Sequence, residues 1–258
     1  MPLHRCRSCG FVFAASRTAA QLQELYGDEY FDEFHCGTSY REDAAQHRFE
    51  SQIRRDWICE YVAHGRLLEI GSAAGFFLDE MRAVSFEVHG VEPAQATAAF
   101  AREELGLDVR TGFIEDVELP DGRFDVVAAW HVVEHIFKPQ QAMQRLRSVI
   151  NSDGLLFLEV PNIASVSAKH FKENWFHLDP KHHVGFYDAK TIGLLLESTG
   201  FEVVNVDTKS PFDYMLPGQE SALSNRLAVV KNALFTRTIP HRTHPWKHEL
   251  LRVVARPI

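Results

Sequence analysis

The stretch that most constrains the fold is 67–77, which reads LLEIGSAAGFF. An apolar run ends in an acid, a turn of small residues follows, and an amphipathic segment begins directly after the turn. This order predicts a buried strand, a tight turn and a helix start, which together present backbone N–H groups to a ligand. We therefore expect an α/β domain organised around this turn.

Apolar runs and amphipathic segments alternate along most of the chain. Strands are predicted at 67–70, 87–91, 108–110, 124–129, 155–160, 201–206 and 249–255, and helices at 19–26, 42–63, 76–84, 94–105, 139–150, 189–198 and 221–234. The near-continuous apolar runs indicate a mostly parallel sheet that is buried on both faces. Right-handed crossovers then give a Rossmann-like, doubly wound α/β fold of seven strands with helices on both faces.

Residues 1–40 differ from the rest and are expected to form a small N-terminal extension. The segment 6–10 is a C-x-x-C-G knuckle, and a short strand is predicted at 11–13. Zn²⁺ usually takes four protein ligands in a structural site, and a second C-x-x-C is absent from the sequence. A zinc ion at Cys6 and Cys9 would therefore need ligands from this set: His4, His35, Cys36 and Cys59. A knuckle with free thiols is the alternative.

Charge and hydropathy narrow the range of candidate functions and partners. The formal net charge is -8 and the isoelectric point is about 5.9, which argues against general binding to nucleic acids or anionic membranes. No apolar segment approaches the roughly 20 residues of a membrane span, and the first residues lack the apolar stretch of a signal peptide. We expect a cytoplasmic enzyme with a small-molecule partner, and neither a nucleic acid nor a membrane as partner.

The turn departs from the dinucleotide fingerprint G-x-G-x-x-G. Counted from Gly71, the third position is Ala73 and the sixth is Phe76, so the pyrophosphate cradle is incomplete. Glu92 ends the second strand of the alternation, where a carboxylate can accept both hydroxyls of a ribose. The expected ligand is therefore a nucleoside without phosphates.

With these features, residues 60–210 resemble the class I S-adenosylmethionine (SAM)-dependent methyltransferases. Segment 68–75 resembles the first motif of that family, 112–116 the adenine loop, 130–135 the segment after the fourth strand, and 155–162 the fifth-strand motif. The resemblance implies SAM as cofactor and a methyltransferase domain at 41–258. It implies cofactor contacts from Glu69, Gly71, Ser72, Ala73, Gly75, Glu92, Phe113, Ile114, Trp130 and His131. The knuckle resembles the end of a zinc ribbon found ahead of some bacterial methyltransferases of sugar and natural-product pathways.

An irregular insert at 161–189, rich in histidine and aromatic residues, is expected to cover the substrate. A hydroxyl nucleophile usually needs a general base, and histidine is the usual one at neutral pH. The candidate bases are His131 and His135 after the fourth strand, and His177, His182 and His183 in the insert.

The segment 131–135 allows further interpretations. It spells the H-x-x-E-H motif of inverzincins, but its position directly after a buried strand argues against a peptidase. Ubiquinone-type O-methyltransferases resemble this segment with Glu in place of His131, so a divalent metal at His131, Glu134 and His135 is one alternative. Another is that Glu134 and His135 cap the next helix. The sequence alone assigns no metal ligand.

These observations predict methyl transfer from SAM to a small-molecule hydroxyl, of a sugar nucleotide or a secondary metabolite. N- or C-methylation of a similar substrate is the first alternative. A non-catalytic SAM-fold regulatory protein and a nucleic-acid methyltransferase are the others, although the acidic charge opposes the last.

Overall fold

The structure is a computed structural model, and it describes residues 2–14, 44–214 and 248–258. Its helices are α1 (Ala44–Cys59), α2 (Phe76–Ala83), α3 (Gln95–Glu103), α4 (Pro139–Val149), α5 (Val166–Phe171) and α6 (Ala189–Glu197). Its strands are β1 (Leu3–Arg5), β2 (Val12–Ala14), β3 (Gly65–Ile70), β4 (Phe86–Glu92), β5 (Asp108–Thr111), β6 (Phe124–Trp130), β7 (Ile150–Pro161), β8 (Gly185–Phe186), β9 (Phe201–Lys209) and β10 (Leu250–Pro257). The predicted helices at 19–26 and 221–234, and the candidate ligands His35 and Cys36, lie outside the described residues.

Seven of these strands form one sheet in the order β5-β4-β3-β6-β7-β10-β9. The pairs among β3 to β7 are parallel, and β10 runs antiparallel to both β7 and β9. This confirms the predicted Rossmann-like, mostly parallel sheet of seven strands. The strand order reverses between β3 and β6, and the crevice at the carboxyl ends of such a pair is where α/β sheets bind ligands.

Both faces of the sheet are covered by helices. On one face, Met143 of α4 and Ile192 of α6 are fully buried against apolar strand residues. On the other face, Ile58 of α1 and Met81 of α2 are fully buried in a second apolar cluster. Burial on both faces explains why the strands read as continuous apolar runs rather than alternating ones.

Two element boundaries differ from the predictions. Helix α1 ends at Cys59, earlier than the predicted 63, because the N–H groups of Tyr61 and Val62 both donate to the Ile58 carbonyl and close a tight turn. Strand β7 begins at Ile150 rather than 155, because Ile150 already pairs with Phe124 of β6.

A second, smaller sheet has the order β1-β2-β8. It joins the N-terminal ribbon (β1 and β2) to the insert, since Val12 pairs with Phe186 and the Ala14 N–H donates to the Val184 carbonyl. The insert, which is predicted as irregular, therefore contains a strand. The sequence pattern does not reveal this strand because β8 has only two residues. Within the described ranges, no helix is both long and apolar enough to cross a membrane.

Candidate active site

The turn between β3 and α2 has a left-handed backbone, with φ of +71° at Gly71, +46° at Ala73 and +83° at Gly75. The N–H groups of Gly71 and Ser72 both donate to the Val91 carbonyl, at 2.7 and 3.0 Å, which fixes the turn to the end of β4. A Cβ at Gly71 would lie 2.5 Å from Val132 Cγ2. Glycine is therefore required there by both conformation and space.

Gly75→Ala is expected to destabilise the fold by about 2–5 kcal/mol, because it adds the strain of a left-handed alanine to overpacking. The overpacking arises because the new Cβ would lie 2.5 Å from Leu107 Cδ1. Gly106→Ala is the matched control, since Gly106 also has positive φ but nothing lies within 4 Å of a Cβ built there. Urea unfolding should show a clearly larger loss in the free energy of unfolding for Gly75→Ala than for Gly106→Ala. Equal losses would contradict this packing argument.

Glu92 ties the turn to the next helix. Its carboxylate is buried and accepts N–H groups from Ala73 at 2.8 Å and Ala94 at 2.9 Å. Burial raises the pKa of Glu92 to about 7, although the two N–H donors act in the opposite direction. Each carboxylate oxygen keeps a second lone pair, which can accept a hydroxyl. The Gly112 N–H donates to the Glu92 carbonyl at 3.0 Å, so the loop of Phe113 and Ile114 lies beside it.

Polar atoms around the turn lack hydrogen-bond partners within the described part of the chain. They are Glu69 Oε2, Ser72 Oγ and Trp130 Nε1, each buried. Burial raises the pKa of Glu69 well above its ordinary value, Arg54 opposes this, and the nearby Glu92 adds to it. Since buried polar atoms are nearly always hydrogen-bonded, this arrangement fits a polar ligand at the turn.

His131 follows β6 with φ of +56° and lies between two carboxylates. Its Nδ1 is 3.3 Å from Glu134 Oε1 and its Nε2 is 3.5 Å from Glu159 Oε1. Burial lowers the pKa of His131, but the two carboxylates outweigh it and raise the value to about 9. The predicted role of His131 as a general base stays a prediction, as does its predicted place beside the cofactor.

The insert brings further histidines to the same place. The Val184 N–H donates to the Glu134 carbonyl at 2.8 Å, which docks the insert on the turn at 133–135. The rings of His135 and His183 lie 4.8 Å apart. Burial lowers the pKa of His135 to about 4 and lowers that of His183, so both rings are neutral.

His182 takes a different position in the cluster. Its Nδ1 lies 2.5 Å from Asp179 Oδ2, and its carbonyl accepts a hydrogen bond from His135 Nδ1 at 3.1 Å.

The capping alternative for Glu134 and His135 is wrong, because helix α4 begins at Pro139 with no side-chain cap.

Sequence reasoning missed a buried charge network behind His131. Glu159 is fully buried and receives Arg54 Nη2 and Arg252 Nε, each at 2.9 Å, as well as the Tyr214 hydroxyl. Burial opposes ionisation, but the two arginines and His131 hold the pKa of Glu159 well below its ordinary value. A glutamate inside the apolar run of β7 was the available signal, since buried charges need partners.

A cavity of about 330 Å³ lies between the ribbon and the insert. Its lining includes Ile163 and Leu178 together with His4, Arg5, Lys172 and Trp175. The Trp175 ring is 5.3 Å from that of His177, which in turn lies 6.5 Å from the His131 ring. The cavity is therefore adjacent to the histidine cluster.

The proposed zinc site at Cys6 and Cys9 gains no support. Both thiols are free and half-buried, and their turn is closed by the Gly10 N–H donating to the Cys6 carbonyl. Among the residues that the structure describes, no third metal-ligating side chain groups with them.

The sheet order, the glycine turn and the acid after β4 together define the class I SAM-dependent methyltransferase fold. The methyltransferase-domain family model matches residues 44–206, more than half of the chain, and the chain belongs to that family.

Curated relatives and solved structures agree with this assignment. Ubiquinone biosynthesis O-methyltransferase from Bradyrhizobium diazoefficiens is 30% identical over 128 residues, covering 48% of this chain and 49% of the relative. The C-methyltransferase NovU from Streptomyces niveus is 27% identical over 146 residues, covering 55% of this chain and 34% of the relative. The chain thus spans about half, or less, of the length of these relatives. Magnesium protoporphyrin IX methyltransferase from Synechocystis, solved with SAH, superposes with a TM-score of 0.63 at 11% identity, covering 93% of this chain and 100% of that one, which shows a shared fold.

Proposed function

We propose that the protein transfers the methyl group of SAM to the hydroxyl of a small molecule. The observation that carries this proposal is the turn itself, where Glu92 accepts the Ala73 N–H and where buried polar atoms of Glu69, Ser72 and Trp130 lack hydrogen-bond partners in the described structure. An adenosyl group with an amino-acid tail offers ribose hydroxyls, an amine and a carboxylate, which match carboxylate acceptors and N–H or O–H donors.

In this proposal each part of the site has one task. Glu92 accepts the ribose hydroxyls, Gly71 to Gly75 hold the methionyl part, and Phe113 and Ile114 contact adenine. When bound, SAM supplies an electrophilic methyl group, and the acceptor oxygen bonds to it as the S–C bond breaks. The acceptor proton leaves toward the histidine cluster, where the rings of His135 and His183 are neutral. Binding and orientation supply much of the rate in such a displacement.

The catalytic domain is proposed to span residues 41–258, with the insert at 161–189 covering the acceptor. Support comes from the docking of the insert on Glu134, which places His183 against His135. The adjoining cavity has three basic side chains, His4, Arg5 and Lys172. These favour an acceptor with an anionic group, as in a sugar nucleotide.

C-methylation is the second candidate, favoured by the similarity to the C-methyltransferase from Streptomyces niveus. The two reactions differ in the atom that receives the methyl group. Carbon-13 NMR of a product made with labelled SAM separates them, because a methyl ether and a carbon-bound methyl group resonate in different regions.

Calorimetry with SAM and with its demethylated product tests the proposed function. We expect one site per chain for each, followed by transfer of labelled methyl to one member of a panel of sugar nucleotides, phenols and alcohols. No heat with either compound would overturn the proposal. Binding without transfer to any acceptor, including mixed RNA, would favour the regulatory alternative.

A further inference from the structure

We propose that Glu134, His135 and His183 form a binding site for one divalent transition-metal ion. Each residue offers one ligand atom, and these atoms all lie within 4.8 Å of one another. Two imidazoles and one carboxylate are a ligand set that suits Zn²⁺ or Fe²⁺. The three residues come from the turn after β6 and from the insert, so the fold, and not sequence spacing, brings them together.

The two imidazoles are held in the form that binds metals. His135 donates its Nδ1 proton to the His182 carbonyl at 3.1 Å, and His183 donates its Nδ1 proton to the His177 carbonyl at 2.9 Å. A ring that donates from Nδ1 and is neutral carries its lone pair on Nε2. Metal-ligating histidines almost always have such an outer hydrogen bond, which fixes both tautomer and ring orientation.

The carboxylate of Glu134 needs a cation. Its side chain is 1% exposed, and neither oxygen has a hydrogen-bond partner in the described structure. The His131 ring lies 3.3 Å from Oε1, but without hydrogen-bond geometry. A buried carboxylate in this condition is costly, and direct coordination to a metal ion removes that cost.

His131 does not serve as the third ligand, although the H-x-x-E-H spacing suggests it. Its two ring nitrogens face the carboxylates of Glu134 and Glu159, at 3.3 and 3.5 Å. His131 does not belong to the group of ligand atoms that lie within 4.8 Å of one another. His183 from the insert takes the position that the sequence motif assigns to His131.

Three protein ligands leave at least one coordination position open, as in catalytic metal sites. His135 is only partly buried, so this position is reachable from outside. On the proposed function, the acceptor hydroxyl fills it and the metal lowers the hydroxyl pKa. With the metal bound, the proton passes to water and not to His135 or His183, because their lone pairs are used for coordination. The oxygen then forms its bond to the methyl group as the S–C bond breaks, with no change of oxidation state at the metal. Only this last step depends on the proposed function.

Titration of the metal-free chain with Co²⁺ tests the site, because Co²⁺ in a protein site gives visible absorption. We expect one Co²⁺ per chain in the wild type. His183→Ala and Glu134→Gln should each weaken Co²⁺ binding by about 100-fold or more, since removing a ligand costs at least as much as removing its outer support. His170→Ala is the control, because His170 is an exposed histidine of the same insert and should leave binding unchanged.

Calorimetry with SAM on each metal-free variant shows whether it is folded. Absence of Co²⁺ binding by a wild type that still binds SAM would overturn the metal site and leave the proposed function intact. Wild-type affinity for Co²⁺ in His183→Ala would also overturn it. Failure of SAM binding with Co²⁺ binding retained would instead contradict the proposed function.

Discussion

Glu159→Gln is expected to lower the free energy of unfolding by about 3–5 kcal/mol, the usual cost of removing one partner from a buried ion pair. The carboxylate is fully buried, and its loss removes the anion to which the guanidinium groups of Arg54 and Arg252 are hydrogen-bonded. Arg252 is itself nearly buried against the Trp57 ring, 4.4 Å from its centroid, and cannot turn to solvent. Urea unfolding measures the loss directly.

Glu202→Gln provides the matched control for this effect. Glu202 pairs with Arg256 at 2.6 Å on the same side of the large sheet, but both side chains are at least half exposed. A surface pair contributes at most about 1 kcal/mol. Similar losses in the free energy of unfolding for the two variants would show that Glu159 is not essential to its ion-pair network with Arg54 and Arg252. Glu159→Gln should also lower the pKa of His131, because one of its two carboxylates is removed.

Glu92→Gln is expected to weaken SAM binding by at least about 100-fold. Two hydrogen bonds from ribose hydroxyls to a charged oxygen are worth roughly 1.5–3 kcal/mol each. The substitution also disturbs the bond from the Ala73 N–H that shapes the turn. Glu87→Gln at the other end of β4 is the control, since Glu87 pairs with Arg66 and His89 away from the turn.

SAM affinity should also depend on pH through Glu92. Its pKa is raised to about 7 in the SAM-free chain, and SAM prefers the ionised form, so binding releases a proton below that pH. We therefore expect the Kd to rise as pH falls through about 7, approaching tenfold per pH unit. Calorimetry between about pH 6 and pH 8 measures this, and the Glu92→Gln variant should lose the dependence. A flat profile in the wild type would contradict the assignment.

The large sheet could be predicted because its signals are local. Each apolar run, the glycine turn and the position of Glu92 can be identified within a few residues. The antiparallel β10 and the pairing of Val12 with Phe186 depend on contacts between distant segments, which no local pattern encodes. The same dependence on contacts between distant segments explains why the side-chain grouping at the site could not be predicted. The sequence motif points to His131 as partner of Glu134 and His135, whereas the fold groups His183 with these two residues and places His131 between Glu134 and Glu159.

The pairing of β2 with β8 has a consequence for the order of folding. The paired residues Val12 and Phe186 are 174 positions apart in the 258-residue chain, so the small sheet closes a very long loop and should form only after the large sheet. Its amides, including that of Ala14, are expected to exchange with solvent faster than those of β6 and β7. Because β8 directly follows His183 and Val184, local opening of this sheet would free the acceptor side while the glycine turn stays folded. On the proposed function, we expect the methylated product to leave before the demethylated cofactor, which stays bound at the glycine turn.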